Sequence, residues 1–163
     1  MLFGDKEKFA LECEIDAEIG AHLYGYFRFW INGYSAGDFD EVLDLRESSR
    51  FGRDILKASV RRPWVDTTTP ADVLLYEFYE RYVGFSAIRA PSPWDRDAFL
   101  LDEMGRGSTR DKFIVIALRS KNGERVICRE YARNIIKETT VPPRVCDFLV
   151  REYCDWVDHF ATI

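Results

Sequence analysis

His22-Leu23-Tyr24-Gly25-Tyr26-Phe27-Arg28-Phe29-Trp30-Ile31-Asn32-Gly33 is the stretch on which the fold turns. Leu23, Phe27, Phe29 and Ile31 alternate with His22, Tyr24, Tyr26, Arg28 and Trp30. That period of two places successive side chains on opposite faces of a β-strand. Gly25 interrupts the first set and predicts a bulge or a close backbone approach. Aromatic residues on both faces predict a strand that is central in its sheet or covered on both sides. Asn32-Gly33 follows directly, and both residues tolerate the positive φ that a type I′ turn demands, so Tyr34–Phe39 is expected to return as the paired strand. Upstream, Phe9, Leu11, Cys13 and Ile15 alternate with Lys8, Glu12 and Glu14, a strand with one wet face over Lys8–Ile15.

Downstream the period changes to helical. Ser48 or Ser49 is the expected cap of a helix reaching about Val60, ended by Arg61-Arg62-Pro63 and weakened by Gly52. A second helix is expected with Thr69 as N-cap, Pro70 at the first helical position and Asp72 in the first turn. Ala71, Leu74, Leu75, Phe78 and Tyr82 form its apolar stripe, and Gly84 stops it. The text from Phe85 to Thr109 is irregular, with Phe99–Leu101 as a short strand. Phe113–Leu118 is a continuous apolar run, Asn122-Gly123 the expected turn and Arg125–Tyr131 the return, with Val126 and Cys128 on one face and Ile127 on the other. Asn134–Lys137 adds a short strand. The last helix is expected to open at Thr140-Val141-Pro142, with Pro142 or Pro143 at its first position, and to bury Val145, Leu149, Tyr153, Trp156 and Phe160. Arg144, Asp147, Arg151, Asp155 and Asp158 mark the opposite face. The pattern gives an α+β fold: an antiparallel β-sheet built from two hairpins with about three packed α-helices, one domain over residues 1–163.

The chain of 163 residues carries 12 Phe, 8 Tyr and 4 Trp and is 47% hydrophobic, enough to fill a core without disulfides or metal and to exclude disorder of the whole. Its net charge of −5 repels a phosphate backbone, so a general nucleic-acid binder is disfavoured and a basic protein partner suits the charge better. Cys13, Cys128, Cys146 and Cys154 form no Cys-x-x-Cys pair, only His22 and His159 accompany them, and each falls in an apolar pattern. They read as buried packing rather than a zinc or redox site. With no leader-like start and no run near the roughly 18 apolar residues of a membrane span, the cytoplasm is the expected compartment and no membrane partner is expected.

Catalytic signatures are missing. Gly105-Arg106-Gly107 is a turn pair and not a phosphate loop, and no Gly-x-Ser-x-Gly elbow is present. His159 reads as a favourable cation at a helix end. No cofactor or metal is therefore expected. Asp95, Asp97, Asp102 and Glu103 read as a solvated loop, with a small metal-dependent hydrolase or nuclease using the Asp95–Glu103 carboxylates as the alternative. A structural adaptor is a third reading. What remains is surface. Asp38, Asp40, Glu41, Asp44 and Glu47 crowd a turn leaving the first hairpin, either as a solvated loop or as an electrostatic landing site for a basic partner. The Pro91–Gly107 segment carries Trp94 among acids, a candidate interface anchor beside Asp95 and Asp97. Trp30 and Asn32 are assigned to fold and turn.

Phe3-Gly4-Asp5, Lys8-Phe9-Ala10 with Glu12 and Glu14, then Gly25-x-Phe27-x-Phe29-Trp30-Ile31-Asn32-Gly33 and Gly37-Asp38, together resemble the small bacterial immunity proteins of polymorphic-toxin and contact-dependent inhibition systems, specifically the Immunity protein 42 type. Trp-Ile-Asn-Gly with its flanking glycines is the most specific part, and Gly123-Glu124-Arg125-Val126-Ile127 echoes the family's second half. The resemblance implies a non-catalytic cytoplasmic protein. It would bind the C-terminal toxin domain delivered by a sibling cell and block its active site. Many toxins of these systems are basic nucleases, whose phosphate-binding groove an acidic inhibitor can occupy. The expected toxin contacts are Asp38, Asp40, Glu41 and Asp44, then Trp94, Asp95 and Asp97.

Overall fold

The computed structural model describes residues 1–37, 39–83, 92–105 and 111–160. Strand β3 (His22–Ile31) is the centre of a five-stranded antiparallel sheet, sheet I, with β2 (Phe9–Ile19) on one side and β4 (Tyr34–Ala36) and β5 (Leu43–Asp44) on the other. β1 (Leu2–Gly4) pairs with the outer edge of β2. The alternation in β3 is the one the sequence predicts: Leu23, Phe27, Phe29 and Ile31 are buried, while Tyr24, Tyr26, Arg28 and Trp30 keep partial exposure. Gly25 is a close approach. A Cβ there would lie 2.1 Å from the Glu14 carbonyl oxygen, and the bulge it signals falls on the partner strand, between Ile15 and Ala17. Asn32 and Gly33 take φ of 51° and 72°, as a type I′ turn requires. The return strand is shorter than Tyr34–Phe39, because Gly37 turns the chain away after Ala36.

β6 (Phe113–Ser120), β7 (Gly123–Glu130) and β8 (Ile135–Val141) form a separate antiparallel sheet, sheet II, so the two hairpins lie in different sheets and not in one. Sheet II is covered on both faces, the reason its strands read as near-continuous apolar runs. Val115, Ala117, Val126 and Cys128 face the main core, and Ile114, Ile116, Leu118 and Ile127 face a second cluster with Leu74, Leu75, Phe78, Phe99 and Leu100. The hairpin turn is Lys121-Asn122, one residue before the expected pair, since Gly123 already pairs with Ser120. A Cβ at Gly123 would stand 2.1 Å from the Val141 carbonyl, so its glycine serves strand contact.

Helix α1 (Leu45–Ala58) begins four or five residues earlier than expected, capped by Asp44 in place of Ser48 or Ser49; the Asp44 carboxylate accepts the Arg46 N–H at 3.0 Å. Ser48 and Ser49 are buried against the last helix: the Tyr153 hydroxyl donates to Ser48 Oγ at 2.9 Å, and Cys154 Sγ to the Ser49 carbonyl. α2 (Ala71–Leu75) starts after Pro70, which takes the N-cap place assigned to Thr69, and passes through a π-helical turn (Tyr76–Glu80) into α3 (Arg81–Val83). The expected stop at Gly84 lies outside the described residues. α4 (Val145–His159) opens later than the prolines suggested. Thr140 and Val141 complete β8, and Arg144, at φ 67°, turns the chain into the helix. Sheet I, sheet II, α1 and α4 enclose the main core. Gly52 is needed where α1 crosses α4, because a Cβ there would come 2.7 Å from Cys154 Sγ.

One ionic junction ties these parts. Arg62 is 2% exposed and bonds the Glu124 carboxylate of β7, Asp147 of α4 at 2.8 Å and the Ala98 carbonyl at 2.9 Å. Glu124 in turn accepts the Cys146 N–H at 3.0 Å and so caps α4 from a distant strand.

Candidate functional site

Asp40 and Glu41 belong to the loop before β5, and Asp44 ends β5 and caps α1; Asp38 lies outside the described residues. Asp40 and Glu41 are exposed, as is Val42. Asp44 is half-buried and largely committed to the fold. Besides the cap bond it lies 2.7 Å from His22 Nδ1. Burial alone would raise its carboxyl, but the bonds from His22, Arg46 and Leu23 outweigh that and lower it. Val42, Leu43, Asp44, Glu47, Ser48 and Met104 line a cleft of about 190 Å³ beside it.

Trp94 is 41% exposed and leans on Phe78, with ring centroids 4.9 Å apart, so it is folded partly onto the second core cluster. Asp95 is held by Arg61 through Nε at 2.8 Å, and Asp97 is exposed. Asp102 corrects the solvated-loop reading: it is fully buried and accepts the Val115 N–H at 3.1 Å. Among the described residues no three His, Cys, Asp or Glu side chains converge to hold a metal. The two expected contact segments are not one patch. Asp44 caps the N-terminus of α1 and Asp95 meets Arg61 just past its C-terminus, and a helix of 14 residues spans ~21 Å.

A third surface was missed by the sequence reading. Among the described residues, α1 and α4 pack on one face of sheet I; the opposite face presents Tyr24, Tyr26, Arg28 and Trp30 of β3 beside Glu12 and Glu14 of β2. Glu12 organises it, accepting from Arg28 Nε and Trp30 Nε1, each at 2.7 Å, and from Lys6 Nζ at 2.9 Å. Burial would raise the Glu12 carboxyl, but these donors outweigh it and hold it down at about 2. Lys6 lies 4.5 Å and Arg28 4.8 Å from the Trp30 ring centre, and Arg28 also lies 4.1 Å from that of Phe39. The available signal was the aromatic alternation itself, which showed that both faces carry large rings but not which one a helix covers.

The remaining reactive groups are packing. All four cysteines are buried free thiols, and burial pushes Cys13 and Cys128 up to about 12 and Cys154 to about 11. No described helix is long and apolar enough to cross a membrane.

The crystal structure of CdiI from Burkholderia dolosa AUO158 is similar to this fold, with a TM-score of 0.74 at 13% identity, covering 96% of this chain and 99% of that one. No curated protein matches the sequence. The family model of Immunity protein 42 matches residues 1–156, nearly the whole α+β unit, and the chain belongs to that family.

Proposed function

We propose that this protein is a toxin-neutralising immunity protein. It works in the cytoplasm of the bacterium that makes it and binds one cognate toxin domain, the C-terminal domain delivered by a sibling cell of a contact-dependent inhibition or polymorphic-toxin system. It covers the toxin's active site and performs no chemistry of its own. The family match over residues 1–156 carries this reading. The net charge of −5 and the exposed Asp40 and Glu41 beside Asp44 support a basic partner, steered by opposite charge. Trp94, with Asp95 and Asp97, is a separate candidate contact at the far end of α1.

Co-expression tests it. The C-terminal domain encoded by the open reading frame immediately upstream is expected to arrest growth when induced alone, and this chain is expected to restore growth. Continued arrest in the presence of folded chain overturns the reading, as does substrate turnover by the purified chain unaided.

A further inference from the structure

We infer that the toxin docks on the outer face of sheet I, centred on Tyr26 between Tyr24 and Trp30, and that the occupant is a basic protein face bearing arginine or lysine side chains. This rests on the immunity reading above and names the surface it uses. A sheet face left to solvent alone has no need of Tyr24, Tyr26 and Trp30 along one strand with Arg28 held between the last two, and clustered, partly exposed aromatics mark interaction surfaces. Tyr and Trp supply wide contact area with few rotatable bonds, so little freedom is lost on docking. The face is also set in advance. Glu12 fixes Arg28, Trp30 and Lys6 by three hydrogen bonds, and Phe39 closes the other side of the Arg28 guanidinium.

Charge selects the occupant. Lys6 and Arg28, two cations beside the rings, are turned onto Glu12 and the Trp30 ring. Glu14 is exposed directly across from Tyr26 in the strand register. The loop carrying Asp40 and Glu41 is continuous with this surface at both of its ends. Phe39 lies 5.8 Å from Tyr26 between ring centroids, and Asp44 is bonded to His22 at the start of β3. Aromatic platform and acidic rim are thus one surface, complementary to a basic partner. The Trp94 segment offers less: its ring is packed on Phe78 and Asp95 is taken by Arg61.

Affinity for the purified upstream-encoded toxin domain, measured by titration calorimetry on the full chain, tests this. Tyr26→Ala combined with Glu14→Lys is expected to weaken binding by about ten-fold or more, and Trp94→Ala by less than about two-fold. Thermal melts check folding. If Tyr26→Ala unfolds the chain, Glu14→Lys with Glu41→Lys, both on exposed side chains, is expected to give a loss of about ten-fold by itself. Unchanged affinity in folded sheet-face variants, or loss confined to Trp94→Ala, overturns the surface while leaving the immunity reading intact. No binding by the wild-type chain overturns both. A wild-type dimer dissolved by Tyr26→Ala assigns the face to a second copy of this chain and overturns the basic-partner proposal.

Discussion

Glu12 is partly screened from water yet ionised, because three donors replace the hydration it loses. Its folded value of about 2 lies below the ordinary 4.5, so its stabilising contribution is complete above about pH 4.5 and is lost as pH falls toward 2, where the unfolded chain takes up the proton first. Glu12→Gln is expected to cost ~1–2 kcal/mol at pH 7, with the gap from wild type closing as pH falls. Urea titrations at pH 7 and pH 3.5 measure it, and an equal gap at both values would show that the carboxylate charge is irrelevant. Gly25 is constrained by shape instead. Gly25→Ala brings a methyl 2.1 Å from the Glu14 carbonyl oxygen, a backbone atom that moves only with the strand. A loss of ~2 kcal/mol or more is expected by the same titration.

At the scale of elements, α1 and α4 meet through the smallest side chain available. Gly52 looked like a weakness in a helical pattern, and within one helix it is: glycine costs up to ~1 kcal/mol relative to alanine. Packing reverses the sign, since a Cβ would come 2.7 Å from Cys154 Sγ and 3.3 Å from both Met104 Cε and Val150 Cγ1. Gly52→Ala is expected to destabilise by ~1–3 kcal/mol despite its better propensity. In a Cys154→Ala background the same change should cost less, and a double-mutant cycle reads that coupling. A stabilised Gly52→Ala single variant would mean the helices can part without penalty.

Across the whole molecule, Arg62 joins the chain after α1 to β7, to the first turn of α4 and to the backbone at Ala98. Removing one partner of a buried ionic cluster leaves the others uncompensated, so Arg62→Met is expected to cost ~3–5 kcal/mol in chemical denaturation. A loss below ~1 kcal/mol would show that Glu124 and Asp147 find other partners. Net charge also acts at this scale. Association with the toxin domain, followed by stopped flow, is expected to slow as salt rises and screening shortens to roughly 8 Å or less. A rate indifferent to salt removes acidic steering from the mechanism while leaving the blocking role in place.

Strand periodicity, the Asn32-Gly33 turn, the two-faced alternation of Val126, Ile127 and Cys128, and the acidic balance were all legible in the chain, because each depends on neighbours along it. The starts of α1 and α4 were not. One cap, Asp44, is also bound to His22 from β3, and the other is Glu124, a strand residue 22 positions before the Cys146 N–H that it accepts. Asp102 reads as a loop acid and is buried because β6 lies over it. Sequence period states which side chains share a face; which face a helix covers, and which keeps Tyr24, Tyr26 and Trp30 partly exposed, is decided by contacts between segments far apart in the chain.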